Sequence, residues 1–239
     1  PPTPEQLEAV AYNRGTKWER QHMPDLRGVA RDFAILRRAG KLLNMPVYLF
    51  GDDVADYFNH LENAPSELPL MNIVFLADDE LEADARDRAH RDDAGNTLIM
   101  ISERRMGFGI HPNSGIAQEL SEAVDYIFRR RMDAYLDPIN EADPRPAMQS
   151  WLASRRALEE KVGGHQRRLY ASTTYIDDNL IGVVGVEQAI AAIRIRRDIT
   201  RAAGLIMAIP EKRLLGVWGV WLGIAIFVSL GLVVVPKSK

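Results

Sequence analysis

The sequence has no cysteine among its 239 residues, which excludes a disulfide framework and thiolate zinc sites and leaves every compartment open. Histidine is scarce as well. His22, His60, His90, His111 and His165 are scattered, with no metal-ligand spacing of the HExxH kind. The first forty residues hold no apolar stretch, so no signal peptide is read there, and an intracellular protein is expected. A pI near 6.0 argues against a generally basic nucleic-acid binder but leaves room for a local basic face. What is present is the balance of a globular protein, 46% apolar and 26% charged. The net charge of −3 is unevenly spread, because residues 1–100 carry 11 Lys+Arg against 18 Asp+Glu. Charge is absent altogether from Leu214 to Pro236, 23 residues in a row.

Periodicity predicts helix over residues 4–44, with Thr3 as cap, apolar positions recurring through Val29, Phe33, Ile35, Leu36, Leu42 and Leu43, and Arg37, Arg38 and Lys41 on another face. Met45-Pro46 stops it, and Val47–Phe50 reads as a short buried strand. Met71–Leu76 and Thr97–Ile101 read as two more strands, joined by an acidic connection from Ala77 to Asn96 with no chemistry of its own. A loop at 106–115 leads into a helix from about Ile116 to Tyr135. A proline-bearing connection follows at Leu136–Ser150, then a short helix around Trp151–Lys161. Leu169–Tyr175 and Asn179–Val184 have hairpin character with Ile176-Asp177-Asp178 at the turn, and a helix from Val186 to Ala203 ends at Gly204. Strands and helices mix without strict alternation, which points to an α+β fold.

Two acidic pairs, Asp52-Asp53 and Asp177-Asp178, each follow an apolar run that would hold them against a core. Carboxylates crowded at low dielectric repel, and a divalent cation between them relieves the repulsion. Mg²⁺ suits such oxygen ligands, and two ions can clamp the attacking and leaving oxygens of a phosphoryl transfer.

The ordered set Asp53-Val54-Ala55-Asp56-Tyr57-Phe58-Asn59, then Phe108-Gly109 with Asn113-Ser114 entering a helix, then Tyr175-Ile176-Asp177-Asp178, resembles the palm of a reverse transcriptase of retrotransposon type. Gly107 stands where that family commonly has proline. The resemblance covers roughly residues 45–239. It implies a polymerase palm, an antiparallel sheet backed by helices, with partial fingers at 1–44 and the thumb missing. It places the palm at 45–213, with 77–96 as an acidic insertion, and a primer-grip-like hairpin leading to the thumb at 214–239. It implies that Asp53, Asp177 and Asp178 hold two Mg²⁺ ions, with Mn²⁺ as a substitute and Asp52 as the competing choice for the first ligand. It also implies that Phe58 closes against the sugar 2′ position, and that Phe108, Gly109 and Tyr175 contact substrate. Lys212, in Pro210-Glu211-Lys212, would lie near the nucleotide phosphates, and Trp221-Leu222-Gly223 would grip the primer end. The implied partners are an RNA template, a DNA primer and deoxynucleotide triphosphates; nothing in the chain speaks to oligomeric state.

The uncharged tail reads two ways. By hydropathy, Leu214–Pro236 is a membrane helix flanked by Lys212-Arg213 and Lys237. By its β-branched content and four glycines it is a hairpin, Val217–Val228 and Leu232–Val235 with a turn at Ser229-Leu230-Gly231. The resemblance favours the hairpin. The competing functional readings are a tail-anchored, non-catalytic membrane protein and a viral-type RNA-directed RNA polymerase, against which Phe58 and Tyr175 argue.

Overall fold

The computed structural model describes residues 24–63, 65–66, 104–106, 113–208 and 213–235, with the backbone alone at 72–76, 90–91 and 97–102. The chain divides into two compact units, Pro1–Glu19 with Phe58–Ser114, and Arg20–Tyr57 with Gly115–Lys239. In the smaller unit, β2 (Asn72–Leu76), β3 (His90–Arg91) and β4 (Thr97–Ser102) form an antiparallel sheet in the order β2-β4-β3. Ile73 faces Ile101 and Leu76 faces Leu98. His90–Arg91 is a strand inside the acidic connection, which the sequence reading leaves without structure. Glu62 and Arg105 bridge as strand partners and as a 2.9 Å ion pair.

The larger unit begins with α1 (Leu26–Leu43). Of the expected helix over 4–44, the part before residue 24 lies outside the described residues; at the start of α1 the Asp25 carboxylate caps the helix by accepting from the Gly28 N–H at 2.8 Å. Asn44, in the left-handed region at φ 52°, closes it with its N–H on the last carbonyls. Then come β1 (Val47–Gly51), α2 (Asn113–Ala142), α3 (Pro146–Val162), β5 (Tyr170–Tyr175), β6 (Asp178–Val184) and α4 (Val186–Ala202). Helix α2 runs through Pro138 instead of ending near Tyr135, so the expected connection at Leu136–Ser150 shrinks to 143–145. Pro138 removes one intrahelical N–H and crowds the Ala134 carbonyl, and the helix continues for four residues past it.

The main sheet has the order β5-β6-β1-β7, with β7 at Leu214–Gly216, and every neighbouring pair is antiparallel. Strand alternation sends side chains to two cores. Leu49, Leu169, Leu180 and Val184 pack with Phe33, Leu36 and Ala39 of α1 and Met148, Trp151 and Leu152 of α3. Phe50, Tyr170, Ile181 and Val183 pack with Phe128, Met132 and Leu136 of α2 and Ala192 and Ile199 of α4. The architecture is α+β, an antiparallel sheet backed by helices, as expected and compatible with a palm. Each fully buried leucine or phenylalanine contributes about 1.5–3 kcal/mol.

The apolar tail forms no membrane helix; the expected turn at Ser229-Leu230-Gly231 joins two paired strands, and one strand more than expected precedes it. After β7 come β8 (Trp218–Trp221), β9 (Ile224–Phe227) and β10 (Leu232–Val234), an antiparallel meander in the order β10-β9-β8. The expected long strand Val217–Val228 breaks at Leu222-Gly223, whose φ of 47° and 75° make a two-residue turn of the I′ kind. Trp218 stacks on Phe227 at 5.5 Å across the β8–β9 pair. Among the described residues no helix is long and apolar enough to cross a membrane.

Two substitutions test this packing. A Cβ on Gly182 would lie 2.4 Å from Phe33 and 2.8 Å from Leu36, so Gly182→Ala is expected to cost about 1–3 kcal/mol, read as a lower urea midpoint. Leu222→Asn places a residue that tolerates the left-handed region where leucine does not, and is expected to raise stability by about 1 kcal/mol.

Candidate active site

Strand β1 runs alongside β6, with Phe50 opposite Ile181. Its last residue has to be glycine, because a Cβ at Gly51 would meet the Asn179 carbonyl at 2.6 Å. The next two residues are pinned from both sides. The Asp52 carbonyl accepts from the Asn179 backbone N–H at 3.2 Å and from its side-chain amide at 2.6 Å. The Asp53 carbonyl accepts from the Ala208 N–H at 2.8 Å, and Val54 bridges Met207. This clamp holds the first acidic pair at the open end of the sheet.

The second pair arrives on the β5–β6 turn. Only Ile176 and Asp177 form the turn; Asp178, expected within it, already opens β6 opposite Tyr175. Ile176 has φ 52°, a costly conformation for a β-branched residue. Helix α2 holds it there. The Gln118 side-chain oxygen accepts from the Ile176 N–H at 2.7 Å, and the Ser121 hydroxyl donates to the Ile176 carbonyl. Ser121 lies 2.7 Å from the Tyr57 hydroxyl, which also donates to the Ala117 carbonyl at 3.0 Å. A single chain of hydrogen bonds thus runs from the Asp53-to-Tyr57 segment, through α2, to the turn that carries Asp177.

The Asp53 and Asp177 carboxyls meet and share a hydrogen bond. Burial, foremost, and then the charge and hydrogen bond of Asp53 push the Asp177 carboxyl up from its ordinary value, against the pull of the Asp177 and Asp178 backbone N–H groups. Asp52 points elsewhere: its carboxylate lies 3.8 Å from Arg213, and burial raises it while Arg213 and the buried Arg196 of α4 oppose that rise. Asp178 is half-buried beside this pair in sequence, but among the described residues no three His, Cys, Asp or Glu side chains converge on one point.

The remaining candidates are scattered. Tyr175 is half-buried and packs against the α1-side core. Phe58 is buried in the 3₁₀ turn Tyr57–His60, within the smaller unit. Trp221 is buried in the α1-side core, so of the expected grip only Leu222 and Gly223 reach the surface. Phe108, Gly109 and Lys212 lie outside the described residues.

The motifs give no role to Gln118, Ser121 or Asn179, and Tyr57, inside the first motif, has none of its own. A signal for two of them exists: Gln118, Ser121 and Asp125 are buried polar residues at i, i+3 and i+7 on α2, a polar stripe on a core-facing side. Asp125 is engaged too, accepting from Ser172 and pairing with Arg129 at 2.6 Å.

No protein-family model matches the chain, and no curated protein matches it. Among solved structures the chain is similar to the telomerase of Candida albicans, solved in complex with a TWJ fragment of telomeric RNA. The likeness has a TM-score of 0.45 and 10% identity, over 91% of this chain and 36% of that one. The chain therefore spans about a third of the length of that telomerase. A likeness of this degree leaves the functional reading to the residues themselves.

The site yields two expectations. Gln118→Leu leaves the Ile176 N–H without its acceptor and should cost about 1–3 kcal/mol in denaturant unfolding. Asp177→Asn should stabilise the protein at neutral pH. A carboxyl raised in the folded state contributes stability below its unfolded value and loses it as pH rises through the folded one. The gain from Asp177→Asn should therefore vanish in acid, below the ordinary carboxylate range, in melting curves taken across pH.

Proposed function

We propose that the chain is the palm of an RNA-directed DNA polymerase of a retroelement, extending a DNA primer with deoxynucleotides on an RNA template. The observation that carries this reading is the Asp53–Asp177 carboxyl pair, held where the end of β1 meets the β5–β6 turn. It is supported by the order of the motifs along the chain. On this reading 1–44 are partial fingers, 45–213 the palm, and 214–239 a grip for the primer leading to a thumb.

The residues fit a divalent cation. Two carboxyls set against each other are a hard-oxygen donor set, and Mg²⁺, or Mn²⁺ in its place, relieves their mutual repulsion. Asp53 and Asp177 would hold the ions, with Asp178 next to them in the chain as the third ligand. When bound, the metal supplies charge neutralisation for the triphosphate and lowers the barrier to attack by the primer hydroxyl. The protein's own part is positional. Asn179 and Ala208 fix the Asp53 backbone, and Gln118 and Ser121 fix the turn, so that the two acids face each other before substrate arrives. Phe58 would discriminate against the ribonucleotide 2′-hydroxyl, Lys212 would meet the departing pyrophosphate, and Phe108, Gly109 and Tyr175 would flank the nucleotide. Leu222 and Gly223, at the exposed turn, are the part of the grip that would touch the primer.

Primer extension on an RNA template with deoxynucleotides and Mg²⁺, run on the full-length protein, tests the proposal. Incorporation should fall at least about a hundredfold in Asp53→Asn and Asp177→Asn, exceeding the loss typical of an outer-sphere partner. Asp52→Asn should lose much less. Undiminished synthesis by Asp177→Asn would remove the site assignment.

A further inference from the structure

Helix α4 stops at Ala202, Gly204 turns the chain back at φ 72°, and the Leu205 N–H donates to the Thr200 carbonyl at 3.0 Å. Between α4, this returning segment and β7 lies a cleft of about 590 Å³, within the size range of small-molecule sites. It is on the α4 side of the sheet, where Asp52 faces, and not where Asp53 meets Asp177. Its floor is apolar, made by Phe50, Ile193 and Leu205. Its rim is cationic. Arg197 and Arg201, one turn apart on α4, line it together with Arg213, whose guanidinium is fixed by the Ala208 carbonyl at 3.1 and 3.2 Å. The acid among the lining residues is Asp52, and Arg213 stands 3.8 Å from it. Among the described residues neither Arg197 nor Arg201 forms an ion pair with a carboxylate, and Arg197 is exposed to solvent.

We propose that this cleft binds a nucleoside phosphate, with the base on the apolar floor and the phosphate held by Arg197 and Arg201. Guanidinium forks match phosphate oxygens two at a time. A planar base is the part of the same ligand that gains from leaving water for an aliphatic and aromatic floor. The ligand is either a free nucleotide or one residue of a single-stranded RNA, and its binding does not require Asp53 or Asp177 to be catalytic.

Calorimetric titration with adenosine 5′-monophosphate and with a short single-stranded RNA, on wild type, Arg197→Gln/Arg201→Gln and Arg194→Gln, tests this. Arg194 is exposed on the same helix and outside the cleft. The double variant should bind the monophosphate at least about tenfold more weakly while Arg194→Gln binds it as wild type does, a guanidinium–phosphate pair being a strong, local contact. Ribose 5-phosphate should bind more weakly than the nucleotide. If RNA binds and the free nucleotide does not, the ligand is a strand, and the double variant should lower the salt slope by about one to two. Equal binding by the double variant, an equal loss in Arg194→Gln, ribose 5-phosphate as good as the nucleotide, or no binding of either probe to wild type would each overturn the assignment. Run without divalent cations, the titration does not read the metal-dependent site of Asp53 and Asp177, so failure here is distinct from failure of the polymerase reading.

Discussion

The pairing of β1 with β6 is the constraint on which the rest rests. It joins segments whose contact residues, Asp52 and Asn179, are 127 positions apart, so the chain closes a long loop before the contact repays it. The register leaves no slack. A slip of one residue would exchange Leu49 with Phe50 and Leu180 with Ile181 between the two cores. It would also carry Asp53 away from Asp177. The acids are thus located by the same apolar alternation that fills the two helical layers, and the site inherits its precision from the cores.

Local pattern reveals the strands and long-range partnership hides the clamps. Val47–Phe50 and the β5–β6 hairpin are legible because short apolar runs end at turn-forming residues. Helix α4 is legible between Val186 and Gly204 for the same kind of reason. The passage of α2 through Pro138 is not, since a proline inside a helical pattern reads as a stop. The Leu222-Gly223 turn is hidden by leucine, which carries no turn signal, so two strands look like one. The nearness of Asp53 to Asp177 follows from resemblance to a known motif order, not from periodicity. The roles of Gln118 and Ser121 depend on a partner, Ile176, more than fifty positions away, and nothing local to α2 announces it.

A layer of polar groups lies between α2, α4 and the strands. Arg196 is buried at 3% exposure, and its Nε and Nη1 have no hydrogen-bond partner. Burial lowers its pKa while Asp125, Asp52 and Tyr57 oppose that fall. The Asn179 Oδ1, an acceptor, and the Thr174 hydroxyl, donor and acceptor alike, are buried without hydrogen-bond partners. A buried cation among unsatisfied acceptors is expensive unless water bridges them. This layer gives Asp52 a positive surrounding while Asp53, one residue on, faces another carboxyl. Two adjacent aspartates thereby live in opposite fields, and alternation along an extended strand is enough to produce that.

The meander ends in a strand whose side chains, Leu232, Val233 and Val234, are all exposed, with Val235 following at 70% exposure. Strand β10 has β9 on one side and no strand on the other among the described residues. A short, uncharged, β-branched border of this kind is a template for any extended segment that comes within reach, because its backbone groups are already aligned for pairing. The strand itself, Leu232–Val234, carries neither a charge nor a proline of the kind that usually blunts such an edge.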